Sequence, residues 1–270
     1  MTNRRIDLDA LSFRLVMTGV ALLALVLLAA PTVVVVWVSF TNGYSLKFPP
    51  PGYSLRWYVE LWNAWQLQFA MMNSLKVALW ATGLSILLGV AASLSIARSA
   101  TLTARVLDSL FLSPLVLPAL AFGLSSLMFF SLIGVPVSPL TLVIGHTVVS
   151  VPFVVRNTVA SLAQMNPALL EASASLGATR WHSFRRITLP LIRPGILAGG
   201  FIAFMASFDN VPVSLFLRDA ATDMLPIRMW QDLEGKLDVT VAALSGVLIV
   251  VTVALMLVME RVAGLSKRLT

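Results

Sequence analysis

The chain has 270 residues, 58% of them hydrophobic and only 11% charged, with a net charge of +7. A soluble domain carries about 25% charged residues, so a chain this apolar cannot hide its surface in water and must use lipid as part of its solvent. The absence of cysteine excludes disulfides, thiolate metal sites and a cysteine nucleophile, and two histidines, His146 and His182, are too few for a histidine-rich metal centre.

A helix crosses the hydrocarbon in roughly 20 apolar residues, and six stretches qualify. The first, 15–40, is uncharged over 26 residues. It is longer than the apolar core of a cleaved leader, about 7–15 residues, and is read as an uncleaved anchor. The segment 53–69 that follows holds Trp57, Tyr58, Trp62 and Trp65, and Ser54 is placed to cap a short helix there. Such aromatics suit a helix at the outer headgroup level, where it anchors the chain or docks an external partner. The second span, 77–97, lies between Lys76 and Arg98. The segment 109–155 has no charged residue and is too long for one span. Gly134, Pro136 and Pro139 divide it into a third span, 109–131, and a fourth, 139–155. A fifth, 194–217, is interrupted only by Asp209, and the sixth is 239–259.

The fold class expected is therefore an all-α integral membrane protein with six transmembrane helices, and the whole chain, 1–270, is read as one membrane domain. A closed barrel is excluded because its strands need short alternating runs. Lysine and arginine set the orientation. One side collects 13 of them, Arg4, Arg5, Arg14, Arg98, Arg105, Arg156, Arg180, Arg185, Arg186, Arg193, Arg261, Lys267 and Arg268, against 6 on the other. The first side is the cytoplasm, and both termini are expected there, which an even number of spans requires. Because these charges lie between apolar spans, they indicate topology rather than a nucleic-acid partner.

The longest cytoplasmic segment contains the loop 166–190. Asn166 is a good helix N-cap, Pro167 suits the first helical position, and Gly177 supplies a left-handed stop. Leu169, Ser173 and Leu176 fall on one face of the resulting short helix. Thr179 is placed to cap a second piece, 180–187, and Pro190 opens the fifth span. Two short helices at an angle make a rigid knob. The small residues Ala172 and Ser173 let another protein approach, and Glu171 offers it a negative handle; an ordinary interfacial loop is the alternative. In the spans, Asp209 stands out. A carboxylate at the bilayer centre costs about 2.5–3.5 kcal/mol, so it faces a cavity or a partner. Pro212 frees a backbone carbonyl one turn back. Asp209 is either a pathway residue attracting a cation or a structural pair or cap. His146, near Thr147 and Ser150, is read as a hydrogen-bonded packing residue, with a proton relay as the alternative.

Glu171-Ala172-Ser173, then Gly177, then Ile187-Thr188-Leu189-Pro190 resembles the "EAA" signature of binding-protein-dependent ABC importer permeases. The spacing matches at every anchor, and Ser173 replaces the second alanine of the signature. The likeness extends to Asn73-Ser74-Leu75 at the second span. It implies a type I ABC importer permease fold in a bacterial inner membrane, with Glu171, Ala172, Ser173, Gly177, Leu189 and Pro190 forming a coupling loop that fits a groove on a separate ATPase. It also implies two ATPase subunits, a second homologous permease making a heterodimer, and a periplasmic substrate-binding protein. The segment Ser207-Phe-Asp-Asn-Val-Pro-Val-Ser-Leu-Phe216, with Ser207, Phe208, Asp209 and Asn210 at its start and Leu225-Pro226-Ile227 beyond it, resembles the spermidine/putrescine-type "C" permease branch. That likeness implies a polyamine or similar organic cation as cargo and a substrate pathway at those four residues. Phosphonate, opine, ferric iron and thiamine permeases share the branch and remain alternatives.

No Gly-x-x-x-x-Gly-Lys-Ser/Thr phosphate loop occurs, so the chain is expected to be non-catalytic, with no cofactor of its own and with ATP and Mg bound by the partner. An ion-coupled secondary carrier would show several intramembrane charges or paired broken helices, and a membrane-embedded enzyme would show clustered acid–base partners. Asp209 stands nearly alone.

Overall fold

The computed structural model describes residues 8–97, 101–236 and 238–263. Arg4, Arg5, Arg98, Lys267 and Arg268 of the charge count lie outside the described residues. Those described form helices and no strand: α1 (Leu8–Val38), α2 (Arg56–Asn63), α3 (Trp65–Ala97), α4 (Leu102–Val116), α5 (Ala119–Leu132), α6 (Pro139–Ala163), α7 (Ala168–Ser175), α8 (Arg180–Ser183), α9 (Leu189–Phe208), α10 (Val211–Leu217), α11 (Leu225–Lys236) and α12 (Val239–Ala263). Among the described residues five helices are long and apolar enough to cross a membrane, and a sixth span results if α4 and α5 are taken together.

Two units can be distinguished. One holds the chain up to Ala64 together with Asp232–Val251. In it, Trp57 is buried against Val239 and Ala243 of α12. The Tyr58 and Ser39 hydroxyls lie 2.7 Å apart, and the Trp57 indole N–H donates to the Gly43 carbonyl at 3.1 Å. The Arg56 guanidinium sits over the Tyr44 ring at 4.0 Å and the Trp57 ring at 4.5 Å. Within this aromatic segment Leu55, not Ser54, is the N-cap of α2. The Ser54 hydroxyl instead accepts the Arg56 N–H at 3.1 Å, a local turn that competes with capping. α1 presents an almost wholly exposed apolar surface.

The other unit holds Trp65–Gln231 and the chain from Thr252. Its frame is α3, α6 and α9, packed through small residues. Every fourth residue of α3 from Ala81 is small and buried (Ala81, Ser85, Gly89, Ser93), and so is every fourth of α9 from Gly195 (Gly195, Gly199, Ala203, Ser207). Such stripes let backbones approach closely, which is how helices associate where lipid removes the hydrophobic drive. A Cβ on Gly199 would lie 2.9 Å from the Val154 Cα and 3.0 Å from the Phe153 carbonyl oxygen, and one on Gly89 would lie 2.8 Å from the Val154 Cβ. Ser93 donates to the Gly89 carbonyl at 2.6 Å, satisfying its hydroxyl within its own helix.

Helix limits differ from the sequence expectation wherever charge or proline competes with periodicity. α3 starts at Trp65 rather than at 77, because exposed Lys76 does not stop a helix whose polar residues have partners. Asn73 donates to the Asp223 carbonyl at 3.1 Å, and the Ser74 hydroxyl accepts the Leu225 N–H at 2.8 Å. The expected third span, 109–131, is two helices bent by 106°. Pro118 forces Leu117 into extended backbone, φ −74° and ψ 141°, which ends α4. The Gly134 turn is as expected, at φ +71°, and Ser138 and Thr141 form a reciprocal capping box that opens α6. The expected fifth span, 194–217, is instead a helix over Arg180–Phe208 followed by a separate α10.

Candidate functional site

The knob between α6 and α9 is built from its turns upward. The Asn166 side-chain oxygen accepts the Ala168 N–H at 3.0 Å. At the other end of α7, Gly177 has φ +75°. Its N–H donates to the Ala174 carbonyl at 2.9 Å, and the Ala178 N–H to the Ser173 carbonyl at 3.1 Å. This is the paired bonding of a Schellman motif, which needs a left-handed residue at that position. The Thr179 hydroxyl accepts the His182 N–H at 3.3 Å and caps α8.

Ser173 adds a tie that sequence reasoning missed. Its hydroxyl lies 2.7 Å from that of Ser183. Ser183 donates its own proton to the Thr179 carbonyl at 3.2 Å, so Ser173 is the donor between them. The residue that departs from the signature thus bonds α7 to α8. Ser173 is buried, whereas Leu176, expected on the same face, is 88% exposed, because Ser173 turns toward α8 and the αL turn carries Leu176 outward.

The second piece of the knob is not separate from the span. α8 runs through a π-turn, Phe184–Thr188, directly into α9. Pro190 has no N–H to give the Arg186 carbonyl, and the turn ahead of it widens so that the Leu189 N–H reaches the Phe184 carbonyl. A wide turn of this kind is often found at functional sites. Glu171, Ala172, Leu189 and Pro190 are exposed, and among the described residues the Glu171 carboxylate has no hydrogen bond or ion pair. Beside α7 an open groove of about 660 Å³ is lined by Leu169, Ala172, Ser173, His182 and Ile187 among others.

The second constellation surrounds the break after α9. Pro212 cannot donate to the Phe208 carbonyl and its ring would clash there, so α9 stops at Phe208. Asn210 then caps α10, its side-chain oxygen accepting the Val213 N–H at 2.9 Å. The four residues expected along a pathway therefore divide. Ser207 is buried against His146, Phe208 stacks on Phe204 with ring centroids 5.8 Å apart, and Asn210 is a cap. Asp209 is exposed. Its carboxylate makes no hydrogen bond or ion pair among the described residues, and its backbone N–H donates to the Met205 carbonyl at 3.1 Å.

His146 is fully buried, with Nδ1 2.9 Å from the Ser207 hydroxyl and Nε2 3.1 Å from that of Ser214. Ser214 was not singled out from sequence, because a serine in a short apolar helix carries no pattern of its own. Just outside, Arg218 pairs with Asp223 at 3.0 Å. Among the described residues no group of three or more potential metal ligands forms.

Comparison with known proteins agrees with this geometry. The chain is 26% identical to the spermidine/putrescine transport system permease protein PotC of Haemophilus influenzae, covering 85% of this chain and 89% of that one. It is 29% identical to the putrescine transport system permease protein PotI of Escherichia coli, covering 84% and 83%. It is 25% identical to the putative 2-aminoethylphosphonate transport system permease protein PhnV of Salmonella typhimurium, covering 90% and 92%. In three dimensions it resembles a bacterial ABC transporter involved in the import of the polysaccharide alginate, with a TM-score of 0.69 and 18% identity over 96% of each chain. The family model of binding-protein-dependent transport system inner membrane components matches residues 85–268. Span count, fold and this match agree, and the chain belongs to the binding-protein-dependent transport system inner membrane component family, the permease subunits of ABC importers.

Proposed function

We propose that this permease subunit carries a polyamine or a similar small organic cation, and that the loop 166–190 couples it to an ATPase. Asp209 carries the cargo half of the reading: an exposed carboxylate without a protein partner, at the point where a spanning helix breaks. An unpaired carboxylate in a spanning segment faces a cavity or a partner, and an alkyl diamine is a cation suited to it. Two relatives are named for polyamine transport.

The coupling half rests on the continuity of α8 with α9. A knob joined to a span by one helix moves the span as a lever, a rigid-body mechanism. Glu171 and the exposed Leu176 and Trp181 give the ATPase a charge and two apolar anchors. The whole chain acts as one permease domain with both termini in the cytoplasm. It works beside a second homologous permease and two ATPase subunits that bind ATP and Mg, and it receives cargo from a periplasmic binding protein. The chain itself catalyses no reaction and holds no cofactor.

A second reading follows from the relative named for 2-aminoethylphosphonate. That cargo also carries an ammonium group that Asp209 would attract, but it brings an anion as well, and Arg218 at the far end of α10 is already paired with Asp223. Uptake of labelled putrescine into proteoliposomes containing the complete transporter tests the proposal. ATP-dependent uptake that falls at least about ten-fold in Asp209→Asn, as loss of an ion pair in a low dielectric implies, supports it. Unchanged uptake by Asp209→Asn, or 2-aminoethylphosphonate transported while putrescine is not, overturns the cargo assignment.

A further inference from the structure

We propose that His146 is a positioning residue: it ties together the two sides of the α9–α10 break and so fixes where the Asp209 carboxylate stands. This rests on the reading of Asp209 as the pathway carboxylate given above.

The geometry is specific. The Asp209 and Asn210 N–H groups still bond back to the Met205 and Ser207 carbonyls of α9, and α10 then starts afresh at Val211. Ser207 lies on the near side of the gap and Ser214 on the far side, and the single imidazole of His146 reaches both hydroxyls. A neutral imidazole has one donor and one acceptor, and a hydroxyl can serve either, so both ring nitrogens are satisfied in either tautomer.

Small residues bring the ring there. Gly145 lets α10 lie against α6, since a Cβ would stand 2.5 Å from Leu217 Cδ1 and 2.9 Å from Val213 Cγ1. Gly123 does the same for α5, where a Cβ would stand 2.6 Å from the Pro212 carbonyl oxygen. α10 is thus wedged between two helices with its own caps satisfied. Asn210 also bridges the gap locally, its N–H on the Ser207 carbonyl and its side-chain oxygen on the Val213 N–H. Among the described contacts, however, the imidazole is the group that bonds a hydroxyl on each side and anchors both to α6. The Asp209 N–H closes the last turn of α9 on the Met205 carbonyl while its carboxylate stays unbonded, so its direction follows from where the end of α9, tied at Ser207, is held against α10.

The test exploits the lack of natural cysteine. In a complete transporter with cysteine-free partners, Asp209→Cys is labelled by a cationic methanethiosulfonate and the rate is measured. His146→Ala and Ser214→Ala are then added separately. Ser214→Ala removes one tie while leaving the imidazole's space filled, so it reports even if His146→Ala fails to assemble. Ser214→Ala is expected to change the labelling rate about five-fold, the factor one lost hydrogen bond gives, and His146→Ala, which removes two, by more. Ser150→Ala removes a buried hydroxyl of α6 that bonds the Ala203 carbonyl, away from the break, and leaves the rate unchanged.

Putrescine uptake supplies the second arm. If His146 acts through Asp209, the double variant His146→Ala/Asp209→Asn loses no more uptake than the worse single variant, whereas independent sites add. Unchanged labelling in both tie variants, or additive uptake losses, overturns the proposal. If Asp209→Asn alone transports normally, the pathway reading of Asp209 falls and takes the transport half of this proposal with it. The labelling rate then decides whether His146 holds the break.

Discussion

Replacing Gly177 by alanine isolates one physical quantity, the left-handed backbone at the tip of the knob. Gly177 has φ +75°, and a Cβ added there would meet nothing within 4 Å. The perturbation is therefore conformational and not steric. An L residue in the left-handed region costs about 1–2 kcal/mol, and alanine recovers about 0.4–1 kcal/mol by restricting the unfolded chain. The net local loss is about 1 kcal/mol, or about five-fold in the equilibrium between the bent knob and an unbent one. Gly134, at φ +71° with equally open surroundings, is an internal control. Gly134→Ala carries the same local cost in the turn between α5 and α6. The assay is putrescine taken up per ATP hydrolysed by the reconstituted transporter, alongside melting temperature in detergent. Both variants should melt alike, but only Gly177→Ala should lose uptake per ATP, by about five-fold. Gly177→Asn should lose less, since asparagine tolerates this conformation. Equal losses from Gly177→Ala and Gly134→Ala, or from Gly177→Ala and Gly177→Asn, would refute the reasoning.

Other predictions follow from single contacts. Ser173→Ala restores the signature's alanine but removes the bond to Ser183. Amide exchange at Ala178 should quicken about five-fold, for a net hydrogen-bond loss of about 1 kcal/mol, and an unchanged rate would mean that the bond does not hold the angle. Gly199→Ala pushes a methyl into the α6 backbone and should destabilise by about 1–3 kcal/mol, read as a lowered melting temperature. Gly83→Ala, with open space around it, should not lower it at all. Asp209→Asn should leave melting unchanged while uptake falls, because its carboxylate bonds nothing among the described residues.

The fold's outline was readable from composition because lipid imposes a coarse rule: a run of apolar residues long enough to cross becomes a helix. What that rule missed has identifiable causes. Apolar runs do not say which proline ends a helix, and Pro118 and Pro212 break theirs, whereas Pro194 lies within α9. Charge does not mark a span limit at Lys76, which is exposed on the surface of α3 well inside the helix. The small-residue stripes on α3 and α9 were present in the sequence at every fourth position. Apolar periodicity does not reveal them, because most faces of a membrane helix are apolar and the informative pattern is side-chain size.

The knob was legible in its stop at Gly177 and its cap at Thr179, which act through local geometry. α7, by contrast, is capped at Pro167, one residue after the expected Asn166, whose side chain bonds the Ala168 N–H in a local turn. The knob's continuity with α9 was not legible, because a π-turn leaves no motif. Likewise the link from His146 to Ser207 and Ser214 spans 61 and 68 residues of sequence, a separation that only packing can close.

The central claim is that the knob transmits another subunit's ATP cycle, and Glu171→Lys addresses it most directly. The exposed Glu171 carboxylate bonds nothing among the described residues, so the variant should insert, fold and melt as the native chain does. In reconstituted transporter the account predicts that ATP-dependent uptake is lost while the permease remains in the membrane at its usual level. A Glu171→Lys transporter that imports at the native rate, or one whose permease fails to insert, would contradict it.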